Sequence, residues 1–254
     1  MIRLLKLVLK VGGGILKAYF SWIRKYAKHK ERYPIGLRFY KVQQLVRFVI
    51  LKIGVKYDMT NFDDIYSGED KKFIVCNHQS MFDCLLFLIY AKRPLTFVAK
   101  KETAKMPFVG KLLKIIDGEF FDRDNLKTQI KNVINTSKLL SENKYDVVIF
   151  PEGTRQKEID KGLLPLHAGS FKIPLKSKSN IVLTEIFGSY RCIKFFKFPK
   201  VNTLYVQFKV LQELNYEDIK NETTVSLMEK SKEILESNLD IFRQKDKEYQ
   251  ESIS

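Results

Sequence analysis

Residues 73–91 read FIVCNHQSMFDCLLFLIYA. Phe73 to Cys76 is a short apolar run of strand length, and 81–91 is an apolar stretch that reads as a helix. A strand that passes through a polar turn straight into a helix is the opening half of an α/β unit, and the pattern recurs along the chain. KFIVC (72–76), LTFVA (95–99), GEFFD (118–122), DVVIF (146–150), NIVLTEIF (180–187) and TLYVQFKVL (203–211) are rich in β-branched and aromatic residues, as strands are. Helical patterns alternate with several of them, most clearly at 81–91, at 126–140 with Leu126, Ile130, Val133, Ile134 and Leu140 on one face, and at 224–242. The fold class expected is α/β: a mostly parallel or mixed central sheet flanked by helices, with ligands at the loops beyond the strand ends. No internal repeat or low-complexity linker is visible, and the polar tail after Arg243 is expected to fray.

The charge is unevenly distributed. The chain of 254 residues is 45% apolar, enough for a sizeable core, and carries a net charge of +16. Residues 1–56 hold fourteen Lys or Arg and one acid, Glu31. In MIRLLKLVLK and in LRFYKVQQLVRFVILKI the cations recur among Leu, Val, Ile and Phe, as in helices with an apolar face and a cationic rim. Gly12, Gly13 and Gly14 are expected to interrupt the first segment, and Pro34 and Gly36 to separate the two. The domain reading is therefore a basic amphipathic, two-helix, membrane-associating segment at 1–60 and an α/β domain at 61–254. The longest uncharged runs, 73–82 and 162–171, are ten residues each, about half of what a spanning helix needs. Lysines at 6, 10 and 17 break any signal-peptide core. Cys76, Cys84 and Cys192 are odd in number and unclustered, which fits reduced thiols; no CxxC pair exists, and no metal is expected.

Several strand ends carry chemistry. His78 follows the first strand, and Asp83 stands five positions on. Ser80 and Asp83 also fit a helix-capping box, so Asp83 serves equally as a cap. VVIFPEGTR (147–155) places Glu152, Gly153, Thr154 and Arg155 at the next strand end, GEFFDRDN (118–125) places Asp122 and Arg123, and FVAKKE (97–102) places Lys100 and Lys101.

These blocks resemble the 1-acylglycerol-3-phosphate acyltransferases, or lysophosphatidic acid acyltransferases, among the glycerolipid acyltransferases. NHQSMFD (77–83) matches the family's NHxxxxD signature, FFDR (120–123) its second motif and FPEGTR (150–155) its third, with FVAKKETAKMPFVGKLL (97–113) between them. The likeness covers about residues 35–215, in the family's order. The best match to the fourth motif, SNIVLT (179–184), has Asn180 and Leu183 where prolines are usual.

The resemblance implies the glycerolipid acyltransferase fold and transfer of a fatty acyl group from a thioester to the sn-2 hydroxyl of 1-acylglycerol-3-phosphate, giving phosphatidic acid. His78 is then the general base, and Asp83 orients it and stabilises the imidazolium. Lys100, Arg123 and Arg155 bind the acceptor's phosphate, with Glu152, Gly153 and Thr154 at the glycerol-phosphate end; Glu152 serves equally to orient an arginine. No cofactor is implied beyond the donor, acyl-CoA or acyl-carrier protein. The expected partners are lysophosphatidic acid, the thioester donor, an anionic membrane surface and an acyl carrier protein. The expected place is the cytoplasmic face of the membrane, peripheral or monotopic. NHQS rather than His-Arg favours the second glycerol position over glycerol-3-phosphate acylation; another lysophospholipid is the remaining acceptor. A basic membrane- or nucleic-acid-binding protein is the rival without catalysis, but no nucleic-acid-binding motif appears among cations interleaved with apolar residues. A thiol enzyme using Cys84 is the rival with it, and Cys84 opens an apolar helix as a core residue does.

Overall fold

The computed structural model describes residues 11–53, 56–122, 124–192 and 205–252. The expected helix in MIRLLKLVLK and the site residue Arg123 lie outside them. Residues 11–28 are helical throughout and contain a π turn, Tyr19–Ile23 (α1). Then come α2 (Ile35–Ile53), β1 (Lys56–Thr60), β2 (Phe73–Cys76), α3 (Phe82–Tyr90), β3 (Leu95–Lys100), α4 (Val109–Ile115), β4 (Glu119–Phe121), α5 (Leu126–Ser141), β5 (Asp146–Ile149), α6 (Lys172–Ser177), β6 (Ile181–Phe187), β7 (Tyr205–Leu214), α7 (Tyr216–Ile219) and α8 (Thr224–Ser252).

The strands form one sheet in the order β1-β7-β6-β2-β5-β3-β4. From β6 to β4 every pairing is parallel; β7 runs antiparallel to β6, and β1 parallel to β7. β2, β5 and β6 are buried along their whole length, so they read as unbroken apolar runs rather than alternations. β2 pairs with β5 on one side and β6 on the other, and the chain switches direction across the sheet there. The loops after the parallel strands therefore gather at one edge, beside β2.

Alternation along the strands divides the core. Ile74, Cys76, Val148 and Phe150 face α1, α2 and α3, in a cluster with Ile23, Phe39, Val42, Val46 and Ile50. Phe73, Val75, Val147 and Ile149 face the other way, against Leu140, Phe171, Ile173, Leu227 and Leu235. Each fully buried aliphatic side chain in these layers contributes about 1.5–3 kcal/mol.

Three expectations are corrected. Gly13 and Gly14 lie inside α1 instead of interrupting it, because the helix packs closely on α2: a Cβ on Gly14 would stand 2.7 Å from the Phe48 ring. The polar tail does not fray after Arg243, since α8 runs to Ser252. Asp246 there pairs with the buried Arg191 (2.8 and 2.5 Å), and Tyr249 stacks on Tyr205 at 4.1 Å. Third, the six expected strands become seven: β1 forms from KYDMT, where parallel pairing with β7 stabilises it. The basic N-terminal region is also partly structural: Arg38 is buried and bonds Asp117 (2.8 Å) and the Ile115 carbonyl, and Arg47 bonds the Ile89 carbonyl (2.9 Å).

Candidate active site

Between Cys76 and Phe82 the chain turns from β2 into α3. One carboxylate oxygen organises the turn: Asp83 Oδ2 accepts from Gln79 N (2.9 Å), Ser80 N (2.9 Å) and His78 Nδ1 (2.8 Å). Ser80 Oγ in turn accepts from Phe82 N at 3.2 Å. The acid's half of the expected capping box therefore forms, while Ser80 Oγ takes Phe82 N in place of Asp83 N and the helix begins one residue later, after Met81; the oxygen that closes on Ser80 N also holds the imidazole. A carboxylate oxygen already receiving two N–H groups is an acceptor, so the ring proton of His78 sits on Nδ1 and the lone pair on Nε2. The His78 side chain is 16% exposed, while Asp83 is fully buried with Oδ1 unpartnered among the described residues.

The imidazole is held by groups distant in sequence. His78 N donates to Glu152 Oε1 (2.6 Å), the His78 carbonyl accepts from Gln156 N (2.7 Å), and the ring stacks on Phe150 with centroids 4.1 Å apart. Leu164 N donates to the other oxygen of Glu152 (2.9 Å). Asn77 bonds both backbone groups of Ile186 (2.8 and 2.9 Å), and Gln79 Oε1 accepts from Gly188 N (2.9 Å), which ties the loop to the end of β6.

Burial dominates the electrostatics. It raises the Glu152 carboxyl, against which the Leu164 and His78 N–H groups work. Glu185, fully buried on β6 with both oxygens unpartnered among the described residues, is pushed by burial to about 8, although Arg243 and Lys209 pull the other way.

His78, Asp83 and Glu152 thus meet at one place. Gly153 (φ +61), Thr154 and Arg155 follow Glu152 in the same loop. Arg155 is exposed, in no ion pair among the described residues, and near enough to Cys84 to oppose in part the upward push of burial on that thiol. Its charge therefore lies on the side of the first turn of α3. Lys100 ends β3, two strands from β2, and pairs loosely with Glu102 (3.6 Å). Lys101 reaches Asp122 (2.8 Å) and Asp124 (3.1 Å), so it ties the β3 end to the segment that follows β4. In the fourth block, Asn180 clamps the start of β6 through Glu213 (2.6 Å) and Tyr216 N (2.9 Å), and Leu183 is core.

Sequence reading passed over Asn77, Gln79, Gln156 and Phe150. An amide side chain directly after a buried strand is a signal of a pinned loop, but the partners of Asn77 and Gln79 lie 109 residues away and cannot be read locally.

A family model described as Acyltransferase matches residues 57–184. A Mycoplasma pneumoniae protein described as a probable 1-acyl-sn-glycerol-3-phosphate acyltransferase is 30% identical over 195 residues, 74% of this chain and 71% of its own. The 1-acyl-sn-glycerol-3-phosphate acyltransferase of Helicobacter pylori is 33% identical over 119 residues, 45% of this chain and 49% of its own. That of Cocos nucifera is 29% identical over 116 residues, 46% of this chain and 37% of its own. The chain thus spans about half or less of the last two relatives. The crystal structure of the 1-acyl-sn-glycerophosphate acyltransferase PlsC from Thermotoga maritima shares the fold, with a TM-score of 0.70 at 19% identity, over 95% of this chain and 97% of that one.

Proposed function

Since the chain belongs to the acyltransferase family whose model spans residues 57–184, we propose that it transfers a fatty acyl group from a thioester to the free hydroxyl of 1-acylglycerol-3-phosphate, forming phosphatidic acid. The observation that carries the reading is the His78 ring, held by Asp83 through Nδ1 with Nε2 unbonded among the described residues, at the sheet edge beside the Glu152–Arg155 loop.

An alcohol is a weak nucleophile near neutral pH, so its proton must leave as the new bond forms. In this reading the acceptor hydroxyl attacks the thioester carbonyl carbon while His78 Nε2 takes its proton. The tetrahedral intermediate collapses, the C–S bond breaks, and the proton passes from Nε2 to the departing thiolate, leaving an ester and a free thiol. Asp83 keeps the reactive tautomer and stabilises the imidazolium. Arg155, with Lys100 and Arg123, binds the acceptor's phosphate. Glu152 acts on the substrate through the loop, since backbone N–H groups of His78 and Leu164 occupy both of its oxygens. The exchange draws on no cofactor beyond the donor.

The acceptor and product are amphiphiles. No helix among the described residues is long and apolar enough to cross a membrane. On α1 and α2, Leu16, Phe20, Leu37, Tyr40 and Leu51 are exposed among cations. This supports seating in one leaflet, where a monoacyl lipid enters laterally; the reading places that leaflet on the cytoplasmic face. The test is to incubate the purified protein in detergent with lysophosphatidate and with an acyl thioester of coenzyme A or of a carrier protein, and to identify the lipid formed. Phosphatidate is expected; acylation of glycerol phosphate or another lysolipid in its place overturns the acceptor assignment.

A further inference from the structure

We propose that the face formed by α5 and residues 167–178 docks an acidic carrier protein, which presents the acyl chain as a thioester at the neighbouring active site. This rests on the acyl-transfer reading above.

The sequence pattern of α5 predicts one apolar face, and the structure leaves much of that face uncovered: Leu126 is 68%, Ile130 53% and Ile134 47% exposed. They border a groove of about 680 Å³ lined also by Ile149, Phe150, Lys100, Lys172 and Lys176 and, among the described residues, by no acid. The charge extends beyond the groove. Residues 126–141 and 167–178 contain six lysines and no Asp or Glu. Lys127, Lys131, Lys172 and Lys176 are exposed and in no ion pair among the described residues. An apolar strip set in unpaired lysines complements an acidic, partly apolar protein surface, with charge guiding encounter and register.

Position decides against a bilayer as occupant. The groove opens on the sheet face covered by α5 and α6, opposite the face that carries α1 and α2 with Leu16, Phe20 and Leu51. It is also concave, so a flat lipid surface cannot fill it, whereas a thioester arm can. Phe150 lines the groove and stacks on His78, and Gly153 lies in both the groove and the site loop. The two substrates then meet at the strand ends, with Lys100 and Gly153 on the border between groove and site loop.

The test compares the wild-type chain with Lys127→Glu/Lys131→Glu and, separately, Lys127→Ser/Lys131→Ser, exposed positions on the basic face but outside the groove lining. The donors are a hexadecanoyl thioester of a carrier protein and the same thioester of coenzyme A. Both variants are expected to raise KM for the carrier-linked donor at least about tenfold. KM for coenzyme A thioester and lysophosphatidate should stay within about twofold, and liposome sedimentation should be unchanged. Binding of a fluorescently labelled carrier protein, measured without turnover, should weaken in parallel and fall with added salt. Equal loss with both donors, undiminished carrier binding in the variants, or lost liposome sedimentation overturns the proposal. A wild-type chain that forms phosphatidate from neither donor instead sinks the transfer reading, and carrier binding still reports on the docking face.

Discussion

The Nδ1 of His78 and the Oδ2 of Asp83 stand 2.8 Å apart, and that oxygen also accepts the N–H groups of Gln79 and Ser80. One atom therefore starts α3, shapes the loop and orients the ring.

Replacing either partner separates these tasks. His78→Ala should lower kcat by about 10²–10⁴-fold and leave the fold intact, because Asp83 keeps the N–H groups of Gln79 and Ser80 when the ring is lost. Asp83→Asn keeps an acceptor for the cap but cannot both accept from Nδ1 and satisfy its own amide. It should cost a similar factor in kcat and about 1 kcal/mol of stability. Steady-state kinetics and chemical denaturation of both variants test this; an active Asp83→Asn enzyme would remove the carboxylate from the mechanism.

Arg155 is exposed and in no ion pair among the described residues, so truncation exposes no buried partner. Arg155→Ala should raise KM for lysophosphatidate by about 10–100-fold, the cost of about 1.5–3 kcal/mol for a lost charge-assisted bond. KM for the thioester should hardly move, and a rise confined to the donor would reverse the pocket assignment.

Glu152 accepts from His78 N and Leu164 N with separate oxygens. Glu152→Gln turns one of those acceptors into a donor and sets two N–H groups against each other, at a cost of about 1–3 kcal/mol. Activity should fall in kcat more than in KM, because the displaced element is the loop that carries the base. Unchanged kcat with a raised KM for lysophosphatidate would make Glu152 a direct substrate ligand.

Glu185 has a sign that can be worked out. Its carboxyl is raised from 4.5 to about 8 by burial, so between those values the folded state binds a proton that the unfolded state has released. Stability must then decrease as pH rises through that window. Glu185→Gln carries no such proton, and its stability relative to wild type should increase from pH 5 to pH 8. Urea unfolding at several pH values measures the difference; a constant gap would show that Glu185 is ionised in the fold.

Phe20 and Leu51 are 65% and 76% exposed, so Phe20→Ser and Leu51→Ser should leave the core intact. Both should weaken sedimentation with anionic liposomes while leaving activity on detergent-dispersed lysophosphatidate unaltered. Undiminished sedimentation would exclude these helices as the lipid contact.

By itself the sequence determined the local elements. Six strands and the helices expected at 81–91, 126–140 and 224–242 follow from β-branched runs and apolar periodicity, because both are properties of neighbouring residues. The pairing of His78 with Asp83 was legible for the same reason, since a loop that begins a helix brings residues five apart into contact. Tertiary structure decided what depends on remote partners. β1 exists through β7, α1 continues through its glycines because Phe48 lies against Gly14, and α8 continues past Arg243 because Arg191 pairs with Asp246. Glu152 became a backbone clamp and half of the α5 apolar face stayed open for the same reason: burial and hydrogen-bond satisfaction are set by which surfaces meet, and sequence spacing does not carry that information.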